Sequence, residues 1–276
     1  MSGTEETVMA AVSAPQEHHG VRDVKSGART VELLELLASR QNRPTTIREL
    51  SAAMDIPRSS LYALLRTLVG HGWVRSDPTG SVYMIGIRAL LAGTSYLDTD
   101  AYLRVVQPYL DDLHARFDET FHFGRLDGFD IVYLATRESS QYRRSFSRVG
   151  RRMPAYSTAL GKSLLADRTG AERAAHLPAQ LEPLTPTTLT ERSALEADLE
   201  RTRERGYAID VEENTVGLTC FAVALAYSEP ASDALSVSIP MSRLTSERQW
   251  EILSELRAAG QRICDIVVPI SAAGWF

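Results

Sequence analysis

Between Pro57 and Gly70 the sequence reads PRSSLYALLRTLVG, and its polar residues have the spacing of a surface. Leu61, Leu64, Leu65 and Leu68 recur at three- and four-residue intervals, the period of one helix face. Arg58, Ser59, Ser60, Tyr62 and Arg66 fall off that stripe. Hydroxyls, a phenol and guanidinium groups side by side on one helix donate hydrogen bonds to phosphate oxygens and base edges. The chemistry they suit is recognition of double-stranded DNA. Thr45 and Thr46, just ahead of the preceding helix, add two hydroxyl donors for phosphate.

Those side chains need elements to hold them. Asp55-Ile56-Pro57 breaks the helical pattern, separating the helix above from an earlier one that carries Leu50 and Met54. Thr46 and Glu49 have the spacing of a capping box at the start of that earlier helix. Before it, ARTVELLELLAS predicts a first helix with Val31, Leu34 and Leu37 on its buried side and Leu33 and Leu36 alongside. After the third helix, Trp73 to Arg75, a turn at Asp77-Pro78-Thr79-Gly80 and Val82 to Met84 read as a β-hairpin. Three helices and a hairpin make a winged helix-turn-helix, whose third helix enters the major groove.

Charge agrees with this reading. The whole chain carries a formal −5, but residues 21–95 hold ten basic and six acidic residues. DNA contact depends on the local balance, which here is positive.

Farther on, IGIRALLAGTSY predicts a linker helix with Ile87, Leu90 and Leu91 apolar. DTDAYLRVVQPYLDDLHARFDE follows, with Leu103, Val106, Leu110, Leu113 and Phe117 at 3-4-3-4 spacing. That is the seam of a helix packed on a helix, and the place where two chains are expected to meet. Past Glu119 the pattern mixes strands and helices. A strand, an Asp127-Gly128 turn and a second strand place Phe121, Phe123, Ile131, Tyr133 and Leu134 in a sheet core. A helix from Thr190 to Arg205 stops at Gly206, the strands GLTCFAVALAY and ALSVSIPM follow, and a last helix runs from Thr245 to about Ile266. The second domain is therefore expected to be α+β, helices flanking an antiparallel sheet.

Other chemistries find less support. Cys220 and Cys264 belong to no C-x-x-C pair, and His18-His19 lacks a third ligand, so no metal site and no disulfide framework are expected. LGKS lacks the first glycine of a phosphate loop, because Tyr156 stands there. A Ser157/Lys162 hydrolase would need its base within reach of the hydroxyl across a loop-to-helix junction, and no catalytic residue or cofactor is expected. The N-terminus carries early glutamates and no apolar run long enough for a span, so a cytoplasmic setting without membrane contact is expected.

MPAYSTALGKSLLA (153–166), RGYAIDVEENTVGLTCFAVAL (205–225) and SVSIPMSRLT (236–245), downstream of YMIGIRALLAG (83–93), resemble the IclR family of bacterial transcriptional regulators in the same order. The resemblance runs from about Asp23 to Val268. It implies a GAF-like effector-binding domain, a homodimer that pairs into a homotetramer, and a small organic acid as effector. It also implies a pocket of Met153, Ala159, Leu160, Asp210, Cys220, Ser236 and Ser238. Amides at a helix start favour a carboxylate, while hydroxyls and one carboxylate orient its other substituents. The PAYST segment is similar to the branch that senses aromatic acids such as protocatechuate, but Ala155-Tyr156 and Ile239 depart from the usual family pattern.

The expected organisation is a tail at 1–20, the winged helix-turn-helix at 21–84, a linker helix at 85–100, the GAF-like effector-binding domain at 101–268 and a tail at 269–276. The competing expectation is a DNA-binding protein whose second domain only oligomerises.

Overall fold

A computed structural model describes residues 24–40, 43–142 and 149–272, so the tail expected at 1–20, with His18-His19, lies outside the described residues. The chain divides between Thr99 and Asp100 into two compact units.

The first unit contains α1 (Lys25–Ser39), β1 (Thr45–Thr46), α2 (Ile47–Met54), α3 (Arg58–Gly70), β2 (Val74–Ser76), β3 (Val82–Ile85) and α4 (Ile87–Thr99). Its core is Leu33, Leu37, Leu50, Ile56, Leu61, Leu65, Leu68, Val74 and Tyr83. α2 starts on the expected capping box: the Thr46 amide donates to Glu49 Oε2 (2.8 Å) and the Glu49 amide to Thr46 Oγ1 (3.3 Å). Asp55 ends it in the left-handed region (φ 50°), which turns the chain into α3. The hairpin turn is organised by Asp77, whose carboxylate accepts from the Ser81 amide (2.7 Å) and the Val82 amide (2.9 Å). β1 adds a third strand beside β3, an element too short for any sequence pattern. Val31, expected inside, is exposed, because the buried stripe of α1 begins only at Leu33 and continues at Leu37.

The segment expected as a linker helix at 85–100 is helical from Ile87 to Thr99. α4 ends at Thr99, and Asp100 starts α5 (Ala101–Phe117) by accepting the Leu103 amide on Oδ1 (2.8 Å). The seam of Leu103, Val106, Leu110, Leu113 and Phe117 is apolar along its whole length. It is buried within the second unit, where α5 packs on the last helix and on the sheet.

After α5 come β4 (Thr120–Asp127), β5 (Asp130–Arg137), β6 (Arg152–Pro154), α6 (Ala159–Ala166), α7 (Gly170–Ala174), α8 (Arg192–Arg205), β7 (Ala208–Val211), β8 (Leu218–Ala224), β9 (Asp233–Pro240) and α9 (Ser246–Ala272). The unit is α+β. Its six strands form one antiparallel sheet in the order β6-β5-β4-β9-β8-β7. Two consecutive meanders are thus joined at a single seam, β4 against β9. α9 runs past Ile266 and through Pro269, into the segment expected to be a tail; Val267 is fully buried, so the packing that stabilises the helix continues beyond the expected end.

Alternation divides the sheet into two faces. Phe121, Val237 and Phe221 lie abreast on β4, β9 and β8, buried on the side covered by α5 and α9. The other face is covered by α6, backed by α8, with Ile131, Leu160, Leu164, Leu195, Leu199 and Ala222 in its core. Glu119, fully buried at the start of β4, accepts from Arg248 Nη2 (2.7 Å) and Arg243 Nε (3.0 Å), which fastens the region where α9 begins. α6 lies so close to the preceding turn that a Cβ on Gly161 would stand 2.1 Å from the Ala155 carbonyl oxygen. Gly161→Ala should therefore shift α6 and destabilise the second unit by about 1–3 kcal/mol, as read by urea denaturation. An unchanged unfolding midpoint would show that α6 is not held at this distance.

Candidate effector cavity and nucleic-acid interface

In α3, Arg58, Ser59, Ser60, Tyr62 and Arg66 are all exposed, while Leu61, Leu65 and Leu68 are buried. Pro57 precedes the helix and no side chain caps it, so its first-turn amides add donors at the end where the two serines sit. The two threonines behave otherwise. Thr45 is buried in β1 and donates to the Arg43 carbonyl (3.1 Å), and the Thr46 hydroxyl is engaged with Glu49 (2.8 Å). Both hydroxyls are used inside the fold, which corrects their expected role at phosphate.

In the second unit, Met153, Ala159, Leu160, Asp210, Cys220, Ser236 and Ser238 all line one cavity of about 40 Å³ under the start of α6. The register of the sheet explains the convergence. Asp210, Cys220, Ser238 and Thr120 are directly opposite one another across β7, β8, β9 and β4. The next row inward holds Ala208, Ala222, Ser236 and His122. Residues that lie far apart in the chain therefore form one polar floor. The roof is the first turn of α6, where Thr158 caps the helix by accepting the Gly161 amide (3.0 Å).

Sequence reasoning missed several lining residues: His122, Tyr133, Arg151, Thr158, Asn214, Thr215 and Leu218. His122 had a visible signal, a polar residue between Phe121 and Phe123 on the opposite face of an apolar alternation. Its Nδ1 is 3.0 Å from Thr136 Oγ1, and its ring meets Tyr133 edge-on at 4.9 Å. Cys220 Sγ lies 3.2 Å from Ser238 Oγ, and Asn214 Nδ2 donates to Ser157 Oγ (3.0 Å). Asp210 both faces the cavity and shapes its rim, because Oδ1 accepts the Glu213 amide (2.7 Å).

Behind the cavity wall lies a charged cluster with no counterpart in the sequence reading. Lys162, 1% exposed, donates from Nζ to Asp198 Oδ2 (2.8 Å) and Glu213 Oε1 (2.6 Å). Its amine is committed to these carboxylates, not to Ser157. Burial pushes Glu213 up to about 7 and Asp210 up to about 6, against the opposing pull of Lys162. Among the described residues no group of His, Cys, Asp and Glu has the arrangement of a metal site, and no helix is long and apolar enough to cross a membrane.

A helix-turn-helix unit with an exposed polar recognition helix, followed by an α+β unit with an enclosed polar cavity, defines a two-domain transcriptional regulator. Residues 26–78 match the IclR helix-turn-helix domain and residues 94–265 match the bacterial transcriptional regulator IclR C-terminal domain, so the chain belongs to the IclR family of bacterial transcriptional regulators. It is 34% identical over 239 residues to the HTH-type transcriptional regulator XynR of Escherichia coli K12, covering 86% of this chain and 94% of that one. The solved structure of Thermotoga maritima IclR is similar over 88% of this chain and 98% of that one (27% identity, TM-score 0.66). An IclR homolog from Microbacterium hydrocarbonoxydans, solved in complex with 4-hydroxybenzoate, shares the fold over 88% of this chain and 99% of that one (22% identity, TM-score 0.72).

The raised carboxyls have a consequence for stability. Both titrate higher in the folded chain than their ordinary values of 3.8 and 4.5, so the native state binds more protons than the unfolded state and stability falls as pH rises through about 6–7. The melting temperature should decline between about pH 4 and about pH 7, and Glu213→Gln should flatten that decline. A parallel decline in both proteins would assign it to other groups.

Proposed function

We propose that this regulator binds an operator through α3 and adjusts its DNA affinity to a small organic acid held in the cavity of the second unit. The observation that carries the reading is the convergence of seven separately placed residues on one cavity, with a helix start on one side and Asp210, Ser236 and Ser238 on the other. Amides of the helix start suit a carboxylate, and the hydroxyls and Asp210 suit hydroxyl or carbonyl substituents. The binding of 4-hydroxybenzoate by a protein of the same fold supports this class of ligand.

At about 40 Å³ the cavity accommodates a few waters, so an aromatic acid must widen it. A ligand that favours the wider arrangement shifts the population toward it, and only such differential affinity can reach the DNA-binding unit. The protein acts as a homo-oligomer in this reading. Ile87, Leu90 and Leu91 of α4 are more than half exposed in the single chain (65%, 60% and 54%) and suit a second copy, which would link two half-sites. A cytoplasmic location follows from the DNA partner.

Arg66→Ala and Tyr62→Ala should each weaken operator binding by about 1–3 kcal/mol with little change in melting temperature. Leu65→Ala should instead lower stability by about 2–5 kcal/mol. Gel shifts and thermal melts separate the two, and reversed phenotypes would mean that another face of α3 meets DNA. For the sensor, calorimetry and thermal shifts of the full chain with benzoate, 4-hydroxybenzoate, protocatechuate and pyruvate test the ligand class. The double change Ser236→Ala/Ser238→Ala should abolish the effector's influence on the operator complex. Full binding and response in the double variant would remove the cavity from the reading, and no binding by any acid would favour a second domain that only oligomerises.

A further inference from the structure

The charges around Lys162 do not balance. Its ammonium is shared by Asp198 and Glu213, and Asp198 is also held by Arg201 (3.2 Å) and Arg205 (3.9 Å) from α8. Asp198 thus has its own cations. That leaves one ammonium in the interior for two carboxylates, Glu213 and Asp210, three residues apart on one turn. Asp210 is satisfied by the Glu213 and Asn214 amides, with Cys220 beside it on β8. Glu213 is not: Oε1 accepts from Lys162, but Oε2 is fully enclosed and has no hydrogen-bond partner. A bare buried carboxylate oxygen is costly, and protonation removes most of that cost. The remaining titratable or charged groups on the cavity wall are His122, Tyr133 and Arg151.

We propose that Asp210, on the cavity wall, and Glu213, on the same turn, form a proton-linked site, so that an organic anion entering the cavity draws one proton from solvent onto the pair, at Glu213 Oε2. The inference rests on reading the cavity as an acid-binding site. An anion beside Asp210 adds a further negative charge in a low-dielectric interior; whatever part Arg151 on the same wall leaves unscreened disfavours the ionised pair. The incoming proton returns the net charge of the site to its value before the anion entered. Linkage is reciprocal, so a protonated pair binds the anion more tightly. Affinity falls as pH rises, approaching about tenfold per pH unit where the pair is ionised in the free protein and protonated in the complex. The device makes the regulator's response depend on acidity as well as on effector concentration.

Carboxyl-detected NMR of the unliganded full chain, labelled at Asp and Glu side-chain carbons, should show one carboxyl titrating near neutrality that disappears in Glu213→Gln. Calorimetry with 4-hydroxybenzoate in phosphate and in Tris, at about pH 7.5 and about pH 8.5, where the pair is largely ionised in the unliganded chain, should show uptake of most of one proton and a loss of affinity at the higher pH approaching about tenfold. The variant should remove the uptake and the pH dependence together. Both wild-type measurements stand if the variant fails to fold. If every carboxyl titrates below about pH 5, or if the acid binds with heat independent of the buffer, the linkage is wrong while the cavity's assignment survives. A carboxyl titrating near neutrality with no binding by 4-hydroxybenzoate, benzoate, protocatechuate or pyruvate would overturn the assignment of the cavity, and the linkage with it.

Discussion

One buried ammonium group fixes the roof of the cavity. Lys162 is the one charged residue of α6, and a lysine taken out of water without partners would cost several kcal/mol. Its two bonds, to Asp198 on α8 and to Glu213 in the turn after β7, offset that cost only while α6 lies between those elements. One residue earlier, Gly161 lets the helix settle against the Ala155 backbone. Close approach and ion pairing thus agree on one position for the first turn of α6, and the floor of the cavity takes its depth from that position.

The exposed face of α3 and the cavity of the second unit are built on opposite principles. The face of α3 displays flexible polar groups to solvent, where a highly charged partner can find them, and the local excess of basic residues favours that encounter. The cavity instead encloses a few polar groups among apolar neighbours, where each hydrogen bond counts for more and an unmatched one is costly.

What the sequence made legible follows from the range of the interactions. The turn between α2 and α3, the capping box and the Asp77 hairpin are settled by neighbours within a few positions, and all of them stand where local pattern places them. The seam of α5 was equally plain as a seam, but spacing does not say whose surface fills it; α9 and the sheet do. Val31 failed for a related reason, since a helix can be amphipathic for a turn longer than its neighbours reach. The cavity was readable only because three motifs resemble a family whose pocket uses them. No periodicity would join Asp210 to Ser238. The partners of Lys162 lie 36 and 51 residues away, which is why its structural role stayed hidden.

The single seam between β4 and β9 sets the order in which the second unit can be completed. Every other pairing in the sheet joins strands that follow one another in the chain, but Thr120 meets Ser238 only after more than a hundred intervening residues have been made. Closing so large a loop is slow, and it is rewarded only when both meanders are present. During synthesis the first unit, complete by Thr99, has everything it needs to fold long before the floor of the cavity exists. A nascent chain therefore passes through a period in which α3 has been made and the sheet of the second unit is still open, and the last strand to emerge closes it.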